Sequence, residues 1–308
     1  MTVATAPAKI ILFGEHAVVH GQPAIAVPVS SLRAQAEVER SGSGLHLNAV
    51  DLDEVLPVEV DSDLMDNALT LTARMTLRTL NATPPDATIK VSSTIPMASG
   101  LGSGAAVSAA IARAVAGAVN AHLSDDQLND LIYEIEKLYH GTPSGIDNTV
   151  IVYEKPVYFV RGKPIETLHI HTPFTVIIGD TGKGALTRLA VEDVNRLVRD
   201  EPGRIQPVLD EIGEIARQAR HAIEHGDITA LGPLMNRNHD LLHTLTVSSP
   251  ELDTLTQAAC DAGALGAKLS GGGRGGNMIA LVKPEDTRRV QQALQTAGAA
   301  RIFTSEVT

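Results

Sequence analysis

A chain that passes from a strand through a glycine-rich loop into a helix has few ways to place its backbone donors. Residues 96–106, PMASGLGSGAA, sit at the centre of such a unit. The run before them, Ala87 to Ser93, alternates Ala87, Ile89 and Val91 with more polar residues, as a half-buried strand does. The run after them, Ala105 to Val119, is alanine-rich and helical in character. Gly100, Gly102 and Gly104 lack a Cβ, so the backbone between strand and helix is free to take positive φ and turn several N–H groups to one point. The unpaired donors of the helix's first turn and the positive end of its dipole face the same point. A phosphate chain is the expected occupant.

Two common phosphate loops do not fit. A Walker loop places Lys and Ser/Thr after its last glycine, where this chain has Ala105 and Ala106. A dinucleotide fingerprint needs a second strand after the helix. Instead Ser124 to His140 reads as another helix, with Leu128, Leu131, Ile132, Ile135 and Leu138 at helical spacing and Ser124 as N-cap.

The formal charge of −11 and the absence of a lysine or arginine run weigh against nucleic acid and anionic membranes as partners. Cys260, the single cysteine, excludes an internal disulfide framework and suits a reducing cytoplasm. The apolar run Ile10 to Phe13 is too short for a signal peptide, and Ala105 to Val119 is too short for a membrane span.

In chain order, short β-type runs come first: Lys9 to Phe13, Ala24 to Val29, Arg33 to Glu39 and Leu45 to Leu47, with hairpin-like connections at Gly14, Gly21, Gly42 and Gly44. A helix is expected from Asp63 to Leu80, and strands near Val157 and Leu168. A change of character after Pro173 divides the chain into domains 1–172 and 173–308. Beyond it come strand Phe174 to Asp180, helical pattern from Leu186 to Leu245 broken at Pro202 and Gly226, a helix from Pro250, strands Ala267 to Leu269 and Asn277 to Val282, a helix from Pro284, and strand Arg301 to Thr304. This order predicts an α+β fold.

Three further stretches carry chemistry or ordinary surface polarity, and each admits both readings. KIILFGEHAVVHG, Lys9 to Gly21, sets Lys9 at the start of a strand and Glu15 with His16 in a turn. EKLYHGTPSGID places Asp147 eleven residues after Glu136, beyond a turn fixed by Pro143 and Gly145 and near a helix start that Ser144 caps. A carboxylate held in this way can orient a substrate hydroxyl. AKLSGGGRGGNMIAL, Ala267 to Leu281, packs five glycines into the six positions Gly271 to Gly276, more than a hairpin needs. Close approach to another backbone or to a ligand explains them better.

Together, KIILFGEHAVVHGQPAIA, PMASGLGSGAAVSAA with HGTPSGIDN, and KLSGGGRGG resemble in order and spacing the three signature motifs of the GHMP small-molecule kinases, with the branch that acts on mevalonate the best match over essentially the whole chain. The resemblance implies a ribosomal-S5-like amino-terminal domain, a ferredoxin-like α+β carboxyl-terminal domain and an active site in the cleft. It implies transfer of the γ-phosphoryl of ATP to the 5-hydroxyl of mevalonate, with Mg2+, by a cytoplasmic homodimer. Carried over residue by residue, Lys9 and Asp147 match the catalytic lysine and aspartate, and Glu15, His16 and Thr187 the substrate side. Pro96, Ser99, Gly100, Leu101, Gly102, Ser103, Gly104 and Ala105 match the ATP phosphate loop, Glu136 the metal ligand with Ser103 the neighbouring hydroxyl, and Gly271, Gly272, Gly273 and Gly275 the carboxyl-terminal glycine loop. The chain departs from the pattern at Gly104, where the family commonly has a metal-binding serine. A helix turns about 100° per residue, so Ser103 does not simply replace it. Alternatives within the family are a mevalonate 3-kinase, a phosphomevalonate kinase or a diphosphomevalonate decarboxylase. Outside catalysis, the alternative is a ligand-binding protein that keeps the fold.

Overall fold

The computed structural model describes residues 2–59, 67–140, 143–184 and 187–308. The beginning of the helix expected from Asp63, with Leu64, lies outside the described residues, as do Gly141 and Thr142 of HGTPSGIDN and Ala185 and Leu186 of TGKGALTR. The element order is β1 (Thr2–Phe13), β2 (Ala24–Arg40), β3 (Leu45–Ala49), β4 (Glu54–Pro57), α1 (Ala68–Leu80), β5 (Ala87–Ser93), α2 (Ser103–Ala118), α3 (Asp125–His140), α4 (Ile146–Tyr153), β6 (Val157–Phe159) and β7 (Glu166–Thr167). It continues with β8 (Phe174–Asp180), α5 (Thr187–Asp200), α6 (Pro202–His225), α7 (Ile228–Thr244), α8 (Pro250–Asp261), β9 (Gly266–Ser270), β10 (Asn277–Val282), α9 (Thr287–Thr296) and β11 (Arg301–Val307). This is the α+β protein expected. It forms two compact units, one of Met1–Ala8, Leu32–Met97 and Gly102–Glu154, the other of Lys9–Ser31, Ala98–Leu101 and Lys155–Thr308.

In the first unit the strand order is β4-β3-β5-β2. β5 runs antiparallel to β2 and parallel to β3, with Ala87 opposite both Arg40 and Leu45. Two expectations are corrected here. The runs Ala24 to Val29 and Arg33 to Glu39 are one long strand, β2, because nothing between them removes a ladder donor or forces a turn. Gly42 and Gly44 do not close a hairpin, because β5 lies between β2 and β3 and takes the backbone bonds a hairpin would have made. α2 explains its own composition. Ala105, Ala106, Ala109, Ala110, Ala112 and Ala114 are all buried, since α2 packs on α1, α3, α4 and β5, and small side chains suit a helix covered on every side. α1 starts at Asn67, whose side chain accepts from Leu69 N–H at 2.8 Å. α3 starts in a reciprocal box, Gln127 N–H to Ser124 Oγ at 3.2 Å and Ser124 N–H to Gln127 Oε1 at 3.0 Å. Leu138, in register with the buried face of α3, is half-exposed at its end.

In the second unit a four-stranded antiparallel sheet has the order β11-β8-β10-β9. One of its two inner strands, β10 (NMIALV), is buried along its whole length, which is why it reads as a continuous apolar run rather than an alternation. β9 is an edge, and an edge strand presents unpaired donors. α7 satisfies two of them: Asn236 Oδ1 accepts from Ala267 N–H at 2.9 Å and His239 Nδ1 from Leu269 N–H at 3.3 Å. Acceptors three residues apart on a helix thus meet donors two apart on a strand. That docking requires close approach. A Cβ on Gly266 would stand 2.1 Å from Gly232 O, and one on Gly232 2.1 Å from Leu265 O.

The contact between Gly232 and Gly266 therefore has no room for a methyl group. Gly266→Ala should destabilise the protein by about 2 kcal/mol or more, the scale of overpacking against backbone that cannot yield. A urea midpoint equal to that of the wild type would contradict the packing described.

Candidate active site

The glycine loop after β5 has an alternating backbone. Ala98 (φ 55°), Gly100 (φ 87°) and Gly102 (φ 75°) are left-handed, while Ser99 and Leu101 between them are not. Alternation of this kind turns successive N–H groups toward one side. Pro96 and Ser99 are buried. Two contacts of the second unit fix residues 98–101: Lys9 N–H donates to Leu101 O at 3.0 Å, and Asn277 Nδ2 donates to Ser99 O at 2.6 Å. Lys9 itself is buried within β1.

In the first unit, α2 begins at Ser103, with Ala106 N–H to Gly102 O at 3.0 Å as its first bond. Gly104 is exposed in the first turn and keeps an ordinary helical conformation, so of the three glycines only Gly100 and Gly102 have positive φ. A Cβ on Gly104 would lie 3.5 Å from Glu136 Oε1 of α3, in ordinary contact. A carboxylate thus stands beside a helix N-terminus. Among the described residues no group of three or more His, Cys, Asp or Glu side chains forms a metal cage. One or two carboxylates with water and substrate phosphates is how Mg2+ is ordinarily held, so these residues fit it. Asp147 is half-buried in the first turn of α4, where the helix dipole favours a carboxylate. The turn before it is set by Gly145 at φ 91°, with Ser144 Oγ accepting from Ile146 N–H at 3.3 Å. Asn148, on the buried side, donates to Asn129 Oδ1 at 2.8 Å and fixes α4 against α3.

The second unit joins two stretches some 250 residues apart. Lys268 and Ser270 of β9, with Gly272 of the loop that leaves it, dock on the segment from Ile11 to His16. Lys268 Nζ donates to Glu15 Oε1, and also to Leu269 O at 2.6 Å. Ser270 Oγ accepts from Ile11 N–H at 3.1 Å and donates to Ile11 O at 2.9 Å. His16 Nε2 donates to Gly272 O at 3.0 Å. The turn that presents Glu15 and His16 is forced by Gly14, where a Cβ would stand 2.4 Å from Pro23 O, and by His16 at φ 60°.

Glu15 and Lys268 are both fully buried. Burial pushes the Glu15 carboxyl up and the Lys268 ammonium down, each opposed by the partner's charge. Burial also lowers His16 to about 4, so its ring is neutral near pH 7. Since Nε2 carries the proton given to Gly272 O, Nδ1 is left as an acceptor. Glu15 Oε2 and His16 Nδ1 have no hydrogen-bond partner among the described residues. A buried acceptor without a donor costs about 1–3 kcal/mol, so a pair of adjacent ones points to a ligand that donates.

The carboxyl-terminal glycine loop bears out close approach on several sides. A Cβ on Gly273 would stand 1.9 Å from Val247 O, one on Gly272 2.5 Å from Thr187 Oγ1, and one on Gly275 2.9 Å from Gly184 O. Gly271, Gly273 and Gly275 also have positive φ. Thr187, at the exposed start of α5, is thereby brought to the same loop as His16. Sequence reasoning missed Lys268, Ser270 and Asn277. Their signal was present in KLSGGGRGGN as polar residues alternating with Leu269 at the mouth of the glycine run, a position suited to docking on another strand.

Two family models match the chain, one of the GHMP kinases N terminal domain over residues 67–155 and one of the GHMP kinases C terminal over 219–300. A mevalonate kinase of Pyrococcus abyssi is 35% identical over 325 aligned positions, which cover 99% of this chain and 95% of that protein. The structure of Methanococcus jannaschii mevalonate kinase superimposes with a TM-score of 0.87 at 28% identity, over 100% of this chain and 98% of that one. L. major mevalonate kinase in complex with R-mevalonate superimposes with a TM-score of 0.85 at 29% identity, over 100% and 96%. The family models together with full-length identity above 30% settle the kinship: the chain belongs to the mevalonate kinase family of the GHMP kinases.

Proposed function

We propose that the protein transfers the γ-phosphoryl group of ATP to the 5-hydroxyl of (R)-mevalonate, a step of isoprenoid biosynthesis. The observation that carries this reading is the pair of buried acceptors, Glu15 Oε2 and His16 Nδ1, awaiting a hydroxyl donor beside the glycine loop. Phosphoryl transfer asks mainly for positioning and charge neutralisation. In this reading Pro96 to Ala105 cradle the ATP phosphates, and Gly271, Gly272, Gly273 and Gly275 with Thr187 line the acceptor side. Lys9 neutralises developing charge, and Asp147 aligns the acceptor hydroxyl and takes its proton. Glu136 and Ser103 would hold Mg2+, which when bound neutralises phosphate charge. Domains 1–172 and 173–308, assembly as a homodimer and work in the cytoplasm complete the proposal. Among the described residues no helix is long and apolar enough to cross a membrane.

The product of ATP and (R)-mevalonate tests the assignment. Carbon 5 carries two hydrogens and carbon 3 none, so a 5-phosphate gives a proton-coupled 31P triplet and a 3-phosphate a singlet. The triplet is expected. A singlet, turnover only of a phosphorylated substrate, or no ADP release would each overturn the reading. Asp147→Asn keeps the shape and removes the charge, and should lower turnover by roughly 10²-fold or more with KM for ATP little changed.

Because His16 is held near 4, its Nδ1 stays an acceptor well below the usual histidine range. The KM for mevalonate should therefore show no ionisation of His16 between pH 6 and 7. A break there that His16→Asn removes would contradict the role, and asparagine tolerates the left-handed backbone of this position.

Gly104 has helical backbone and space for a side chain beside Glu136. Gly104→Ser should keep the fold and lower the Mg2+ concentration for half-maximal rate, as a hydroxyl replaces a metal-bound water. A raised Mg2+ requirement, with weaker ATP binding, would reject the assignment of Mg2+ to this turn.

A further inference from the structure

The one residue of the run Gly271 to Gly276 that carries a side chain is Arg274, and it is held at φ 56°, where glycine is at ease and arginine is not. Its neighbour in space, Thr246, is also left-handed at φ 61°, which is rarer still for a β-branched residue. Two strained residues persist side by side only where their surroundings over-determine them. Arg274 N–H donates to Val247 O at 2.8 Å, Nε to Thr246 O at 3.3 Å, and Nη1 to Asp193 Oδ2 at 2.5 Å.

Asp193 belongs to α5, which buries only Ala190 and Val194. So thinly packed a helix is drawn from the low-stability end of a fold. Its first residue, Thr187, leans on Gly272, whose carbonyl holds His16. The positive charge of Arg274 is among those that keep His16 neutral, as expected of a group close to it.

We propose that Arg274 is a positioning residue: its ion pair with Asp193 fastens α5 to the glycine loop, so that Thr187 stays closed over the acceptor side of the site. The proposal rests on the reading of Glu15, His16 and Thr187 as that side. The pair is about a quarter exposed on each partner, so it adds little to global stability. It acts on a local equilibrium of α5 instead.

Arg274→Gly separates the two roles, because glycine relieves the strained backbone and keeps the bond to Val247 O. Its unfolding midpoint should be unchanged or higher. Amide hydrogen exchange of residues 187–200, measured without substrates, should be about five-fold faster, and KM for mevalonate about five-fold higher, with KM for ATP unchanged. Asp193 also pairs with Arg196 within α5 at 2.7 Å, so Arg196→Gln is the control and should leave KM for mevalonate unchanged, while Asp193→Asn should raise it as Arg274→Gly does. Unchanged exchange and unchanged KM in Arg274→Gly, or an equal rise of KM in Arg196→Gln, would overturn the proposal. The exchange arm needs no turnover, so a wild-type protein inactive on mevalonate would sink the functional reading and leave this test in force.

Discussion

The second unit depends on one buried contact, Lys268 with Glu15. A buried ion pair is weak evidence of stability, because desolvation can exceed the attraction, and breaking one leaves a charge stranded. Its value here is positional. With one carboxylate oxygen held by Lys268, the other cannot rotate away, and it is the other that lacks a partner. The same logic holds for His16, whose Nε2 is occupied by Gly272 O while Nδ1 waits. Each side chain is tied by one polar atom so that its second is aimed.

These ties follow from strand geometry. Lys268 and Ser270 alternate with Leu269 on β9 and so share a face, which meets Glu15 and Ile11, while the turn at Gly271 brings the carbonyl of Gly272 to His16. On the opposite edge, α7 supplies Asn236 and His239 to the free donors of Ala267 and Leu269. β9 is thus fixed from both edges, and the glycine run that leaves it starts from a rigid base.

Much of this was legible in the sequence where local pattern and burial agree. β5, β8 and β10 occupy the residues their alternation or continuous apolar character predicts, and the breaks at Pro202 and Gly226 separate α5, α6 and α7. Legibility failed where partners come from far away. A hairpin at Gly42 and Gly44 is a sound local reading, but β5, more than 40 positions on, pairs with both β2 and β3 and separates them. Lys268 reads as a solvated strand residue until Glu15, 253 positions away, is brought against it. The glycine loops were visible as sites of close approach. What the second one approaches, Thr187, Val247 and Gly184, was not legible, because those segments are brought to it only by the fold.

The two glycine loops also spend their freedom differently, and the difference bears on specificity. In the loop after β5, left-handed backbone alternates with ordinary backbone, which gathers N–H groups for an anion of any shape. In the loop after β9, the absent side chains are replaced by protein: Val247 O, Thr187 and Gly184 O fill the spaces where Cβ atoms would be. The first presents its backbone donors, and the second is a hub that draws separate segments together. A substitution in the first should therefore be felt in phosphate binding. One in the second is transmitted through Thr187, Val247 or Asp193 to groups that recognise the acceptor. Under the proposed function, that division would place nucleotide affinity and acceptor selectivity under separate stretches of the chain, although both stretches are built from the same residue.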